Sequence, residues 1–439
     1  MDKVISAIAT ANGVGGVAII RLSGDGVLEI VEKMFKPLKK IQVKDFEPYK
    51  LYVGEIDGGG FTDFGMAVYF KAPKSYTGED MVELHCHGGV AITQGILKHS
   101  FSLGAIPATR GEFTKRAFIN GKLSLDSCEG LIDMINSESV AEVKVGYNLY
   151  REKLNKKVEE LQAKLTYSLA EIDANIDYPE EDLTLSTTIQ VKDVLTFVIN
   201  EIDGLLSNYN SGEKIKNGVK VAIVGEPNTG KSSLLNNLLH YEKAIVSSIP
   251  GTTRDVVEGS IEINGVKFNL FDTAGIRETD DYVENQGILR SEKLINSADV
   301  ILYVYDLSSE KINKISNTDK PYVNVYNKCD VSTKQVEDGI IISAKTGKNI
   351  DKLKEKLFNL AFSQGIDYNA QVITEQRHYN ALKNAKESLL KALEVVDVMP
   401  LDLISEDIKE GWQYLGEITG KTASEEIIDE IFAKFCVGK

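Results

Sequence analysis

Apolar residues recur along this chain in three successive textures. From residue 1 to about 118, short runs such as "VAIIRLSG", "FGMAVYF" and "MVELHCHGG" alternate with glycine-rich turns, which predicts an α+β domain. From about 119 the period becomes helical. Leu154, Val158, Leu161, Leu165, Leu169, Ile172 and Ile176 follow at spacings of three and four, one apolar stripe along a long helix. Pro179 in "DYPEED" ends it, because proline breaks the hydrogen-bond ladder and biases Tyr178 toward extended backbone. A second helical run is expected from near Thr188.

From 218 to about 364 the strands "VKVAIVG", "KFNLFDTAG", "DVILYVYD", "PYVNVYN" and "GIIISA" alternate with helical segments, the pattern of a mostly parallel sheet covered on both faces. Helices return after about 370 through "RHYNALKNAKESLLKALEVV". The expected architecture is therefore multidomain: an α+β domain over 1–118, the first half of a helical domain over 119–215, an inserted α/β domain over 216–367, and the second helical half over 368–439. An insertion of this kind costs the host little when the ends of the inserted domain lie close together.

Composition narrows the classes of function. The 439 residues are 43% hydrophobic and 26% charged, with a formal net charge of −15, so any nucleic-acid contact requires a local basic patch or a partner. No cationic leader precedes an apolar run and no apolar stretch is long enough to span a bilayer, which leads to the expectation of a cytoplasmic protein without a membrane partner. Cys86, Cys128, Cys329 and Cys436 are scattered without a CxxC pair, which argues against disulfides and structural zinc. His85 and His87 share one strand face but lack a third ligand nearby. The glycines of "ANGVGGVAII" open a strand instead of a helix, so they make no dinucleotide fingerprint.

The strongest chemistry lies in the α/β block. "GEPNTGKS", Gly225 to Ser232, matches GxxxxGK[ST] between a strand and a helix, where backbone N–H groups and the helix dipole favour phosphate. Asn228, Thr229, Gly230, Lys231, Ser232 and Ser233 form this loop. Lys231 would reach the β and γ phosphates, and Ser232 would hold Mg²⁺. Further GTPase motifs follow in order. The loop Ser247, Ser248, Ile249, Pro250, Gly251, Thr252 and Thr253 offers Thr253 as the γ-phosphate and Mg²⁺ sensor. Asp272, Thr273, Ala274 and Gly275 make "DTAG", with Asp272 near the metal. "NKCD" brings Asn327, Lys328 and Asp330, and Ser343, Ala344 and Lys345 support the base. Asp330 would accept from N1–H and the 2-amino group of guanine. Adenine offers no such donors, so ATP would leave a carboxylate unpaired. Ile276 stands where Ras-type proteins carry the water-orienting glutamine. Arg254, Arg277, Glu278, Asp280, Asp281 and Glu284 remain open as replacements.

Together with "GGVAIIRLSG", "SYTGEDMVELHCHGG", "RGEFTKRAFINGKLSL" and the final "FCVGK", these motifs resemble the family of tRNA-modification GTPases called MnmE or TrmE, from end to end. The resemblance implies a GTPase of the TrmE-Era-EngA-like class that works with the flavoprotein MnmG. The pair installs an aminomethyl-type group, such as carboxymethylaminomethyl, on C5 of the tRNA wobble uridine. The one-carbon unit comes from 5-formyl- or methylene-tetrahydrofolate, with FAD and NADH on the partner. It implies K⁺-dependent hydrolysis linked to G-domain dimerisation, with K⁺ held by Asn228, Ser247, Ile249 and Thr252, and Glu284 orienting water. It also implies a constitutive homodimer whose folate site uses Arg21, Glu83, Lys122 and Lys439.

The tail poses its own choice. Gly438 and Lys439 do not fit a prenylation signal, and a frayed end is the plain alternative. The resemblance implies instead a docked active-site segment, anchored by Phe435, that places the Cys436 thiol near the folate as nucleophile or base, with a purely structural or partner-binding tail as the open alternative. Two other outputs of the same GTPase motifs stay open: a ribosome-assembly switch, which needs no cysteine tail, and a dynamin-like membrane GTPase, which lacks an amphipathic or lipidation signal.

Overall fold

The computed structural model describes residues 3–177, 184–241, 259–272, 294–310, 312, 319–363, 365–366 and 373–439. In chain order its strands are β1 (Ile5–Ile8), β2 (Gly15–Ser23), β3 (Phe35–Pro37), β4 (Leu51–Asp57), β5 (Thr62–Phe70), β6 (Met81–Gly88), β7 (Ile106–Pro107), β8 (Val219–Val224), β9 (Gly259–Ile263), β10 (Val266–Asp272), β11 (Val300–Asp306), β12 (Tyr322–Asn327) and β13 (Ile340–Ile341). Its helices are α1 (Val27–Met34), α2 (Val90–Ser102), α3 (Glu112–Ile119), α4 (Leu125–Asn136), α5 (Val140–Tyr150), α6 (Lys153–Asp177), α7 (Thr184–Ser207), α8 (Tyr209–Asn217), α9 (Lys231–Tyr241), α10 (Ile350–Ala361), α11 (Gln376–Val395), α12 (Leu401–Thr419) and α13 (Glu425–Ala433). The chain divides into two compact units.

The first unit comprises 1–132, 149–188 and 395–439. Its seven-stranded sheet has the order β3-β4-β5-β6-β2-β1-β7, antiparallel except where β7 runs parallel to β1. β4 buries Tyr52, Gly54 and Ile56 and exposes the residues between them, the alternation of a sheet with one covered face. Ile20, Leu22, Val31, Met34, Leu84 and Ile96 form the core beneath. The helical part of this unit pairs α6 with α12. Gln162 Nε2 donates to the Trp412 carbonyl at 2.9 Å, and Trp412 Nε1 donates to Thr166 Oγ1 at 3.1 Å, so the lone tryptophan is tied at both ends. Along the apolar stripe of α6, Leu154, Val158, Leu161, Leu165 and Ile172 are buried and Leu169 is half-buried. Ile176 departs from it and is exposed, because it lies in the last turn of the helix.

The second unit comprises 133–148 and 189–394. Its sheet has the order β13-β12-β11-β8-β10-β9, parallel apart from the β9–β10 hairpin. β11 is buried along six of its seven residues, as expected of a strand covered on both faces. α7 begins at Thr184, four residues before the expected start. Among the described residues, no helix is long and apolar enough to cross a membrane.

Candidate functional site

In the second unit, β8 lies between β10 and β11. The chain therefore leaves the carboxyl end of β8 at the point where strand order diverges, the usual ligand crevice of an open parallel sheet. The loop from β8 to α9 carries the P-loop sequence. Asn228 and Gly230 have positive φ, 60° and 92°. A Cβ on Gly230 would stand 2.2 Å from Asn327 Nδ2, so only glycine allows the loop to close on the neighbouring strand. Lys231 is buried, and its Nζ donates to the Gly225 and Glu226 carbonyls at 2.9 Å each. At the first turn of α9, Ser232 Oγ donates to Asp272 Oδ2 at 3.0 Å. Two oxygen ligands plus phosphate oxygens form the donor set that Mg²⁺ accepts, so the chemistry of this pair fits the metal.

The base loop is built by β11, β12 and the turn after β13. Asn327 Nδ2 donates to the Thr229 carbonyl at 2.9 Å, while its Oδ1 accepts from Ala344 N at 2.8 Å. One side chain thus ties the P-loop to the "SAK" turn. Ser343 Oγ donates to Asp330 Oδ1 at 2.7 Å, and this hydrogen bond is the main reason the exposed Asp330 carboxyl is held below its ordinary range. Lys328, at φ 72°, donates to the Asn228 carbonyl at 2.8 Å and to Asp306 Oδ2 at 2.6 Å. Asp306 had no place in the sequence motifs. The available signal was a lone carboxylate closing the apolar run of β11, in register with Asn327 on β12.

Ser233 follows Ser232 on α9, and Lys345 follows Ala344. Ser247, Ser248, Ile249, Pro250, Gly251, Thr252, Thr253, Thr273, Ala274, Gly275 and Glu284 lie outside the described residues. So do Ile276, Arg254, Arg277, Glu278, Asp280 and Asp281.

A second group gathers in the first unit. Arg21 on β2 faces Glu83 on β6 in register, with Arg21 Nε and Nη2 each 2.9 Å from Glu83 Oε1. The Arg21 guanidinium also lies 5.3 Å from the Tyr76 ring centroid and 5.6 Å from that of Phe113, which gives it cation–π support. His85 Nε2 is 3.5 Å from Glu83 Oε2, whereas His87 turns to Asp63 at 2.6 Å. The two histidines therefore serve different carboxylates. The tail runs into this group: Phe435 is buried against Phe432, the Cys436 carbonyl accepts from Gly111 N at 3.3 Å, and Val437 bridges Arg110. Cys436 is exposed and Gly438 is buried, and Arg21 Nη1 donates to the Gly438 carbonyl at 3.4 Å. Burial, then the Arg21 charge, pulls the Lys439 ammonium below its ordinary value. Lys122 Nζ donates to the Pro73 carbonyl at 3.0 Å. Tyr76 and Phe113 were missed in the sequence, where "SYTGED" read only as part of a longer motif.

The crevice at β8, the P-loop and the base loop define the second unit as a P-loop GTPase domain. Across the whole chain, the family model described as "GTP-binding protein TrmE N-terminus" matches residues 4–122, and that described as "MnmE helical domain" matches 125–436. The chain is 38% identical to the tRNA modification GTPase MnmE of Desulforamulus reducens over 100% of both chains, and 40% identical to that of Natranaerobius thermophilus over 100% of both. It is also similar to the G domain of the T. maritima FeoB iron transporter, at 26% identity and a TM-score of 0.24, over 33% of this chain and 98% of that one. This chain belongs to the MnmE family.

Proposed function

We propose that this chain hydrolyses GTP and, with a flavoprotein partner of the MnmG kind, modifies C5 of the tRNA wobble uridine using a folate one-carbon unit. The observation that carries the reading is the joining of one P-loop to one guanine-type loop through Asn327, in a chain that matches named tRNA modification GTPases along its full length.

In this reading the residues divide the work. The backbone N–H groups from Asn228 to Ser233 cradle the phosphates, and Lys231 moves from the loop carbonyls to the β and γ oxygens. Ser232 and Asp272 hold Mg²⁺ with Thr253, and Asn228 holds K⁺ with Ser247, Ile249 and Thr252. When bound, these cations supply positive charge where it is needed as the β–γ bridge breaks. Glu284 orients the attacking water, taking the part that Ile276 cannot. Asp330 accepts from the guanine N1–H and 2-amino groups, with Ser343 fixing its carboxylate.

For the folate, Glu83 suits the N–H donors of a pterin edge, and Lys122 and Lys439 suit its carboxylates. The half-buried Arg21–Glu83 pair meets the tail beside these groups, and that donor set fits such a ligand. Cys436 lies exposed next to them, available as nucleophile toward C6 of uracil or as a base. The chain works as a homodimer in the cytoplasm.

The test is nucleoside mass spectrometry of tRNA from cells lacking this protein, complemented with the intact chain or with Cys436→Ser. Loss of the wobble modification, restored by the intact chain alone, is expected. Unchanged tRNA in the deletion would sink the proposal and favour a ribosome-assembly switch.

A further inference from the structure

Asp306 ends β11 at the rim of the nucleotide crevice, outside every motif that assigns a role to its neighbours. Its two carboxylate oxygens have separate tasks. Oδ1 accepts from Ser308 N at 2.8 Å and from Ser308 Oγ at 2.5 Å, so its own turn fixes the carboxylate. Oδ2 accepts from Lys328 Nζ at 2.6 Å. The ladder adds a backbone constraint: Asp306 faces Asn327 in register, and Leu307 N donates to the Asn327 carbonyl at 2.9 Å.

An exposed lysine–carboxylate pair contributes little as a rule, because both side chains are free to move and water screens them. This pair differs. The Asp306 and Lys328 side chains are 23% and 34% exposed, the carboxylate is fixed from behind, and the ammonium has a second acceptor in the P-loop carbonyl of Asn228 at 2.8 Å. Lys328 thereby spans from β11 to the P-loop while its backbone holds the base loop at φ 72°. A competing carboxylate stands two residues on. Asp330, whose carboxyl is held low first by the Ser343 hydrogen bond and least by the Lys328 charge, is the acceptor a guanine needs. An ammonium without Asp306 would be drawn toward Asp330 and would block that acceptor.

We propose that Asp306 is a specificity-determining positioning residue of the nucleotide site, which holds the Lys328 ammonium against the P-loop and away from Asp330. The proposal rests on the reading of Asn327, Lys328 and Asp330 as the guanine loop. Lys328 lays its stem along the base, and Asp330 stays free to accept. Asp306 acts on guanine only through Lys328.

The test uses the full-length chain, with affinity for a fluorescent GDP and steady-state GTP hydrolysis as readouts. Asp306→Asn is expected to weaken GDP binding about tenfold and to raise KM in parallel, with kcat within about twofold. Asp306→Glu keeps the charge and is expected to stay within about threefold of wild type. The deciding variant is Asp306→Asn combined with Lys328→Met, which removes the misdirected ammonium. Its affinity should equal that of Lys328→Met alone, a suppression that a merely structural turn would not show and that a misfolded variant could not produce. Wild-type affinity in Asp306→Asn, or a double variant that multiplies the two single losses, overturns the proposal. Asp330→Asn in the same series checks the loop itself and is expected to favour xanthosine over guanosine diphosphate. If it keeps its guanosine preference, the guanine-loop reading fails and this inference with it. If it switches while Asp306→Asn is silent, only the role of Asp306 falls.

Discussion

Arg21 and Glu83 oppose each other across the β2–β6 ladder, and the guanidinium spends both Nε and Nη2 on one carboxylate oxygen at 2.9 Å. Glu83 Oε2 is left to His85. Burial pushes the Glu83 carboxyl up, but His85 and Arg21 outweigh it and hold the group below its ordinary range. A depressed carboxyl contributes stability that is present above its unfolded value, about 4.3, and is lost as pH falls through the folded value. Glu83→Gln is therefore expected to melt earlier at pH 7, by roughly 2 kcal/mol of stability, with the gap closing below pH 4. The same variant should lose 5-formyltetrahydrofolate binding about tenfold or more in titration calorimetry. A melting difference that stays constant from pH 7 to pH 3 would count against the ion pair.

The P-loop offers a sharper geometric test. Gly230 has φ 92°, and its missing Cβ would meet Asn327 Nδ2 at 2.2 Å, the atom that donates to Thr229. Gly230→Ala must displace either the loop or Asn327, and both carry the site. Nucleotide affinity is expected to fall about a hundredfold or more, while the far-UV circular dichroism stays native, because the change is confined to one turn. Near-normal GDP binding would mean that the loop adopts another shape when a nucleotide is bound.

How far the sequence disclosed this molecule follows from the kind of signal involved. The P-loop and base-loop residues are contiguous motifs whose chemistry is local, so Lys231, Ser232, Asn327 and Asp330 were legible, and their strands were bounded by apolar runs. Asp306 was not. Its role comes from the register of β11 on β12 and from a lysine one residue past the facing asparagine, which no spacing within β11 announces. The group around Arg21 was reached only through family resemblance. Arg21 and Glu83 are 62 residues apart, and Gly438 lies 417 from Arg21. The partners of a single strand arginine are set by sheet order, not by its neighbours in sequence. Burial of α6 followed its apolar stripe until the last turn, where Ile176 lost its cover.

Lys216, the penultimate residue of α8, carries two carboxylates. Its Nζ is 2.8 Å from Asp133 Oδ1 and is also bonded to Glu375. Burial is the largest influence on Asp133 and pushes its carboxyl up to about 7, against the pull of Lys216 and with help from Glu375. A carboxyl whose folded value exceeds its unfolded one makes the native state bind the extra proton between about pH 4 and pH 7, so stability falls as pH rises through that window. Asp133→Asn removes this dependence. Denaturant titrations at pH 5 and pH 7.5 are expected to show a smaller difference in the variant than in the parent chain. An equal difference in both would place the titration elsewhere, Glu375 being the first alternative.

The tail can be tested without touching its thiol. Gly438 has φ 98°, and a Cβ there would stand 2.1 Å from the Ile8 carbonyl, so the segment docks only because this residue has no side chain. Gly438→Val is expected to lift residues 436–439 from β1, break the Arg21 contact with the Gly438 carbonyl, and expose the Gly111 amide that now donates to Cys436. Hydrogen exchange at Gly111 should accelerate by about tenfold or more, since the amide loses its acceptor. GTP hydrolysis, which is built in the other unit, should stay within about twofold, while complementation of wobble-uridine modification should fail, the outcome also expected of Cys436→Ser. The pairing of these results matters. Faster exchange with intact modification would show that the docked tail is structural and that Cys436 acts, if at all, from an undocked segment. Lost modification with unchanged exchange would mean that Gly438 contributes something other than its place beneath Arg21.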